Sequence, residues 1–495
     1  VKILHSLWAP ALALLLVLAP GAQAQPAPRS VTINISLEPD TLDPTMGAAA
    51  AIGEVVHYNV LEGLTKIEES GAVVPLLADS WSVDASGKVY TFRLRQGVRF
   101  QDGAAFDAVA VRYSFERAAA PESTNKARKA LFDNIADIAT PDPHTVVLTL
   151  HRPDASLLFR LGEPPAVVLH PATAGQAATQ PVGTGPYRIA QRTRGHSITL
   201  LKADTYRDAA RVHIERASYR FIHDMAAQSA ALQAGEVDVF FNLATQDIAR
   251  FQGDSRYQVL IGSSASKGLL ALNQRRAPLG DVRVRRAITH AIDREAFIRK
   301  VLDGRGRVIG SHFSPTDQGY VHLAGMYPYD PERARALLRE AEVTLPLRLT
   351  LTLPPTPYAR MGGPVVAADL AKVGIIVRLE QVEWAQWLAG AFKGNFDMTL
   401  INHVEPLDYL IYTDPTYYFG YDSADFRSLA ERHAASSNAR ERQMLFADLQ
   451  RHLAQDAANV WIFAPQNAAV ARKGLRGVWM NYPITAHDIG AMWWE

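Results

Sequence analysis

Pro181-Val182-Gly183-Thr184-Gly185-Pro186-Tyr187 is a dense cluster of structure breakers. Two prolines without an amide hydrogen and two glycines without a side chain interrupt any regular ladder, so the segment marks a crossing between structural units. Downstream, residues 187–201 read as strand, turn at Arg194-Gly195, and strand. Residues 226–235 then read as a helix closed by Gly235, and residues 237–241 as a strand. Residues 269–273 form a short strand that carries the chain toward another unit. Upstream, Val31, Ile33, Ile35 and Leu37 alternate with polar neighbours, the period of a half-buried strand, which Pro39 and Pro44 end. An Ala-rich, helix-compatible stretch covers 48–61, and short β signals follow at 73–74, 81–83, 90–94 and 146–150.

In the second half, Val284, Ile288, Ala291, Ile292, Ile298 and Val301 fall at helical spacing on one face. Asp330-Pro331-Glu332 opens another helix with a cap, an N1 proline and an acidic first turn. Strands at 347–353 and 375–379 flank a helix at 365–373, a β-α-β alternation, and residues 426–453 read as one long helix. The chain is therefore mixed α/β with several units, as 495 residues at about 150 per domain also suggest.

Lys plus Arg number 51 and Asp plus Glu 50, so no global field attracts nucleic acid. The absence of cysteine excludes disulfides, thiolate metal sites and thiol nucleophiles. At the start, Lys2 and His5 precede an apolar run over residues 9–19, and Ala22-Gln23-Ala24 offers a small-x-small cleavage pattern. Residues 1–24 are thus expected to be a cleavable export signal and the mature chain to begin at Gln25. No Cys follows for lipid attachment, and no later segment resembles a membrane span. The mature protein is expected in the periplasm.

Catalytic signatures are thin. Metalloprotease, phosphate-loop and nucleophile-elbow patterns do not occur. Ser123-Thr124-Asn125-Lys126 and Ser264-Ala265-Ser266-Lys267 satisfy Ser-x-x-Lys, but without the Lys-Thr-Gly element found beside it in penicillin-recognising enzymes. A secreted Ser-x-x-Lys hydrolase is the competing enzyme reading.

Several motifs occur in an order that resembles the family 5 extracellular solute-binding proteins, receptors of ATP-driven importers. Leu76-Leu77-Ala78-Asp79-Ser80-Trp81 is followed by Tyr90-Thr91-Phe92-Arg93-Leu94-Arg95, then by Gly97-Val98-Arg99-Phe100-Gln101-Asp102-Gly103. Tyr113-Ser114-Phe115-Glu116-Arg117, the 181–187 turn and residues 282–294 continue the pattern. The resemblance implies a two-lobed periplasmic binding protein fold of type II, with an extra family-specific domain, a central hinge and a ligand cleft between the lobes. One lobe would combine residues 25–60, 179–268 and 469–495; the extra domain would be 61–178 and the second lobe 269–468. It also implies a monomeric, non-enzymatic protein without a resident cofactor or metal. Its partners would be a small peptide-like or amino-acid-derived solute and an inner-membrane ABC permease, with a chelated metal such as nickel as the alternative cargo.

The same resemblance directs attention to Asn402, His403, Glu405 and Asp408. Peptide receptors of this fold hold the ligand ammonium with an aspartate, and Glu405 stands at its position, so a buried Glu405 would await a cation. It could equally cap a turn or pair with an arginine. Thr356 replaces the family's carboxylate-gripping arginine before Pro357-Tyr358. Arg360, two residues beyond Tyr358, is the expected substitute fork, although it could instead cap its helix or face solvent, and Tyr358 is expected beside it among the ligand-binding residues. Trp384 and Trp387 would either stack on the ligand or pack a helix end. Arg283, Arg285 and Arg286 read as a solvated helix face.

Overall fold

The computed structural model describes residues 29–125, 131–241, 248–436 and 438–495. The export signal expected over residues 1–24 and the Lys126 of one Ser-x-x-Lys pair lie outside them. No helix among the described residues is long and apolar enough to cross a membrane.

One large sheet runs through the molecule. In its first half, Ser30–Ile35 lies parallel to both Arg216–Phe221 and Val239–Phe240, and the hairpin Tyr187–Thr193/Ser197–Lys202 extends the edge. In its second half, Lys267–Leu272 lies between Met398–His403 and Val460–Arg472, while Leu347–Leu353 pairs in parallel with Ile375–Gln381. Val460–Arg472 is the bridge. Its first residues pair with Lys267–Leu272 and its last with Tyr257–Ser263. The chain thus passes between the two halves at residues 264–266 and again near Pro465. Each half owns a core: Ile33, Ile52, Tyr187, Leu200 and Tyr219 in the first, Leu270, Ile288, Phe297, Leu351 and Leu370 in the second. Each large side chain buried there contributes roughly 1.5–3 kcal/mol.

A separate four-stranded antiparallel sheet, ordered Ala78–Val83, Val89–Leu94, Thr145–Leu150, Ile135–Asp142, carries a third core around Phe92, Phe115 and Leu148. The helix Ala108–Ala119 covers it, started by the Asp107 carboxylate, which accepts from the amides of Val109 and Ala110. The 181–187 turn stitches this unit to the first half of the main sheet. A Cβ on Gly183 would lie 2.2 Å from the Val60 carbonyl oxygen, and one on Gly185 2.4 Å from that of Asn59, so only glycine fits. The Gln101 amide donates to the carbonyls of Val60, Gly185 and Tyr187 across the same seam.

Three elements depart from the sequence reading. The apolar face over residues 284–301 is split into Val282–Ala291 and Arg294–Val301, because Ile292 turns extended and Asp293 caps the second helix through the Ala296 amide. The stretch 426–453 likewise breaks into Ala424–Ala435 and Ala439–Gln455, the latter capped by Asn438. The helix expected at 365–373 begins at Pro357 and runs through Gly362, Gly363 and Pro364. Those glycines sit against Phe297 and Leu353, so tertiary packing overrides their breaker character. Arg285 also departs: it is buried, donating to the carbonyls of Leu279, Gly280, Asp456 and Ala457, and is not part of a solvated face.

Candidate functional site

A cavity of about 1020 Å³ is bordered by segments of all three units. One wall comes from the Ala-rich residues 47–53 and from 482–485; a second from 152–165 of the extra unit; a third from 404–413 and the helix Ala424–Ala435. Ser264, Ala265 and Ser266, the first crossing between sheet halves, form part of its lining. A space of this size holds a drug-sized or peptide-sized ligand.

The third wall begins where the strand Met398–His403 ends, and its loop is fixed by a buried charge. Lys267, 1% exposed, donates to Asp408 Oδ1 at 2.6 Å and to the Glu405 carbonyl at 2.5 Å. His312 Nε2 meets the same carboxylate oxygen at 2.9 Å, and His403 Nδ1 meets Oδ2 at 2.9 Å. Facing a carboxylate, both of these imidazole nitrogens carry the N–H. His312 Nδ1 lies 3.1 Å from the Tyr412 hydroxyl, to which Asn459 donates, and His403 Nε2 lies 3.0 Å from the Tyr418 hydroxyl. Desolvation would raise the Asp408 carboxyl, but His312, Lys267 and the hydrogen bonds hold it well below the usual range. Burial pushes His312 down to about 4 against the pull of Asp408, so it is neutral at pH 7 and acts as a hydrogen-bond donor. The donor atoms of His312, His403 and Asp408 lie within 4.8 Å of one another, a spacing that a metal ion could use. Here both rings direct their N–H at Asp408 and the ammonium of Lys267 supplies the cation, so the cluster is already satisfied.

This network also removes the base that a Ser-x-x-Lys nucleophile needs. Lys267 is committed to Asp408, while Ser264 Oγ donates to the Pro465 carbonyl at 3.1 Å. In the other pair Ser123 Oγ donates to the Thr45 carbonyl.

Of the eight residues singled out, Glu405 and Asp408 line the cavity. Glu405 is exposed, contrary to the expectation of a buried carboxylate, and makes no ion pair among the described residues. Asp408 borders the cavity but spends its oxygens on Lys267 and the two histidines, and His403 is buried behind it. The other five lie away from the cavity lining. The Tyr358 hydroxyl accepts from the Asn402 amide at 2.9 Å and its ring packs on Phe463. Arg360 is committed to the carbonyls of Pro354 and Val382, the Gln381 side chain, and Glu383 at 3.6 Å. Those partners bind its helix start to the neighbouring strand. Trp384 and Trp387 stack on each other at 5.1 Å, and Trp387 Nε1 donates to Thr399.

The sequence reading missed the second wall. Arg152, Asp154, Arg160 and Glu163 line the cavity from the extra unit. Arg160 stands 3.6 Å from Asp154, and Arg152 is exposed without an ion pair among the described residues. Glu163 is half-buried and is pushed up to about 7 by desolvation, opposed by Arg160 and reinforced by Asp154 and Glu405. The signal available in sequence was Gly162-Glu163-Pro164-Pro165, an acid on a turn stiffened by two prolines.

Comparison with known proteins agrees with this architecture. Di/tripeptide-binding protein 2 of Pseudomonas aeruginosa is 27% identical over 523 residues, covering 96% of this chain and 97% of that protein. HbpA2 from Haemophilus parasuis shares the fold, with a TM-score of 0.85 at 22% identity over 94% of this chain and 100% of the other. The periplasmic binding protein AgaA from A. tumefaciens R10, solved with agropinic acid, is 25% identical with a TM-score of 0.74, covering 94% and 99%. Residues 72–421 match the model of the bacterial extracellular solute-binding proteins, family 5. The chain belongs to that family, and is a two-lobed extracellular solute-binding protein rather than an enzyme.

Proposed function

We propose that the cavity captures a small peptide-like or amino-acid-derived solute, which lobe closure encloses and presents unchanged to an inner-membrane ABC permease. The carrying observation is the 1020 Å³ cavity bordered by all three units, with Glu405 exposed on one wall and Arg152 on another. That pairing of charges suits a solute bearing both an ammonium and a carboxylate. Names of relatives support the class: a di/tripeptide-binding protein and a receptor solved with agropinic acid. Ligand would favour the closed form through contacts available only when the walls approach. In this reading the lobes are residues 25–60 with 179–268 and 469–495, and 269–468, with 61–178 as the extra domain. The hinge lies at residues 264–266 and near Pro465, a few residues ahead of the expected bounds at 268 and 469, so Lys267 goes with the second lobe; residues 1–24 are a cleaved, non-lipoprotein export signal.

Mass spectrometry of solute released from purified, denatured protein tests the reading. An intact amino-acid derivative or short peptide, restored by titration with compaction in small-angle scattering, is expected. Recovery of a metal chelate, or hydrolysis of the recovered solute on incubation, would overturn it.

A further inference from the structure

We propose that Glu163 is a second specificity-determining carboxylate, facing Glu405 across the cavity, so that the walls accept a solute placing an ammonium or guanidinium between them. This rests on the preceding reading of the cavity as the ligand site; the cavity, not the pair of acids, is the site.

Both carboxylates border the same space but are held by different units. On one side, the Gly162 carbonyl accepts from His57 Nε2 and from the Tyr58 hydroxyl, both at 2.8 Å, and Pro164 packs against Gly53. Glu163 therefore leaves a backbone pinned to the first half of the main sheet. On the other side, the carbonyl of Glu405 is pinned by Lys267 of the second half. The backbone that carries each acid is fixed by a buried donor before any ligand arrives, which lowers the ordering cost of binding.

The surrounding charges leave Glu163 only partly compensated, by Arg160, and Glu405 without an ion pair among the described residues. Asp408 is neutralised by Lys267, Arg160 pairs with Asp154, and Arg427 pairs with Asp422. Neither Glu163 nor Glu405 has an ion-pair partner among the described residues. The charged and titratable groups around Glu163 are Arg160, Asp154 and Glu405, with Tyr58 behind it and Arg152 on the same wall. The two carboxylates already repel in this structure. Bringing the walls closer without a cation would strengthen that repulsion, because the interaction scales inversely with distance. A cation between them reverses its sign. Arg152 then remains for a ligand carboxylate.

Calorimetric titration of the mature protein with glycyl-L-leucine and with N-acetylglycyl-L-leucine tests the inference. The free peptide should bind at least ~30-fold more tightly, and Glu163→Gln should shrink that ratio at least ~10-fold, weakening the free peptide and strengthening the acetylated one as the repulsion on closure is relieved. Equal binding of both peptides, or an unchanged ratio in Glu163→Gln, would overturn the inference and leave the proposed function intact. If neither peptide binds, the peptide reading of the function is refuted, and ligand-free melting decides the inference. Wild type, Glu163→Gln, Glu405→Gln and the double variant would be compared at pH 8 and pH 5. Non-additive stabilisation at pH 8 that vanishes at pH 5 sustains the facing pair, and additivity at pH 8 overturns it.

Discussion

Asp408 and Glu163 are carboxylates on opposite walls of one cavity, and they have been treated oppositely by the fold. Asp408 receives a lysine and two imidazole N–H groups, so its charge is cancelled inside the protein. Glu163 is desolvated without receiving a cation, so its charge is cancelled in part by proton uptake. A compensated buried charge specifies structure, whereas an uncompensated one is available to a ligand.

The largest effect should come from breaking the compensated side. Lys267→Met leaves Asp408 buried beside two histidines without its cation and should cost ~3–5 kcal/mol in chemical denaturation. Adding Asp408→Leu to that variant should recover most of the loss. A Lys267→Met protein as stable as wild type would mean that the network does not hold the loop.

Glu405→Gln should act on the other quantity. Affinity for the natural solute should fall by ~2–5 kcal/mol in calorimetry, with ligand-free melting nearly unchanged at pH 5 and raised at pH 8 only by the relief of repulsion with Glu163, since this side chain is exposed and unpaired. Loss of stability with retained affinity would reverse the assignment of roles.

Acid–base behaviour sharpens the contrast. Glu163 has a folded-state value raised from 4.5 to about 7, so its contribution to stability is full below 4.5 and is lost as pH rises through 7. That loss amounts to at most ~3 kcal/mol, and Glu163→Gln should flatten it in melts between pH 4.5 and 8. His312 works in the other direction. Its value is lowered from 6.5 to about 4, so stability is lost as pH falls from 6.5 toward 4, a limb that Glu163→Gln should leave untouched.

The smallest effect is expected for Trp384→Ala, which removes a half-exposed ring outside the cavity lining. Solute affinity should change by less than ~0.5 kcal/mol. A larger change would return the tryptophan pair to the binding surface.

Much of the local architecture was legible because periodicity and breakers act over short range. The alternation over 31–37 became the strand Ser30–Ile35, and Asp330-Pro331 opened the helix Pro331–Glu340. The reading failed where a cap cut a continuous apolar face, as at Asp293 and Asn438, and where packing carried a helix through Gly362-Gly363-Pro364. In the site, the resemblance led to the loop carrying Glu405 and Asp408, but not to which of the two was already satisfied. Lys267 lies 141 positions from Asp408 and His312 lies 96 away, and no local pattern links them.

From its sequence alone this protein is a mixed α/β receptor of the family 5 type, because hydrophobic period, breaker clusters and motif order are properties of neighbouring residues. Only the tertiary structure decided which charges stay free. Burial and the arrival of partners from distant strands determine whether a carboxylate is neutralised within the fold or left facing the cavity.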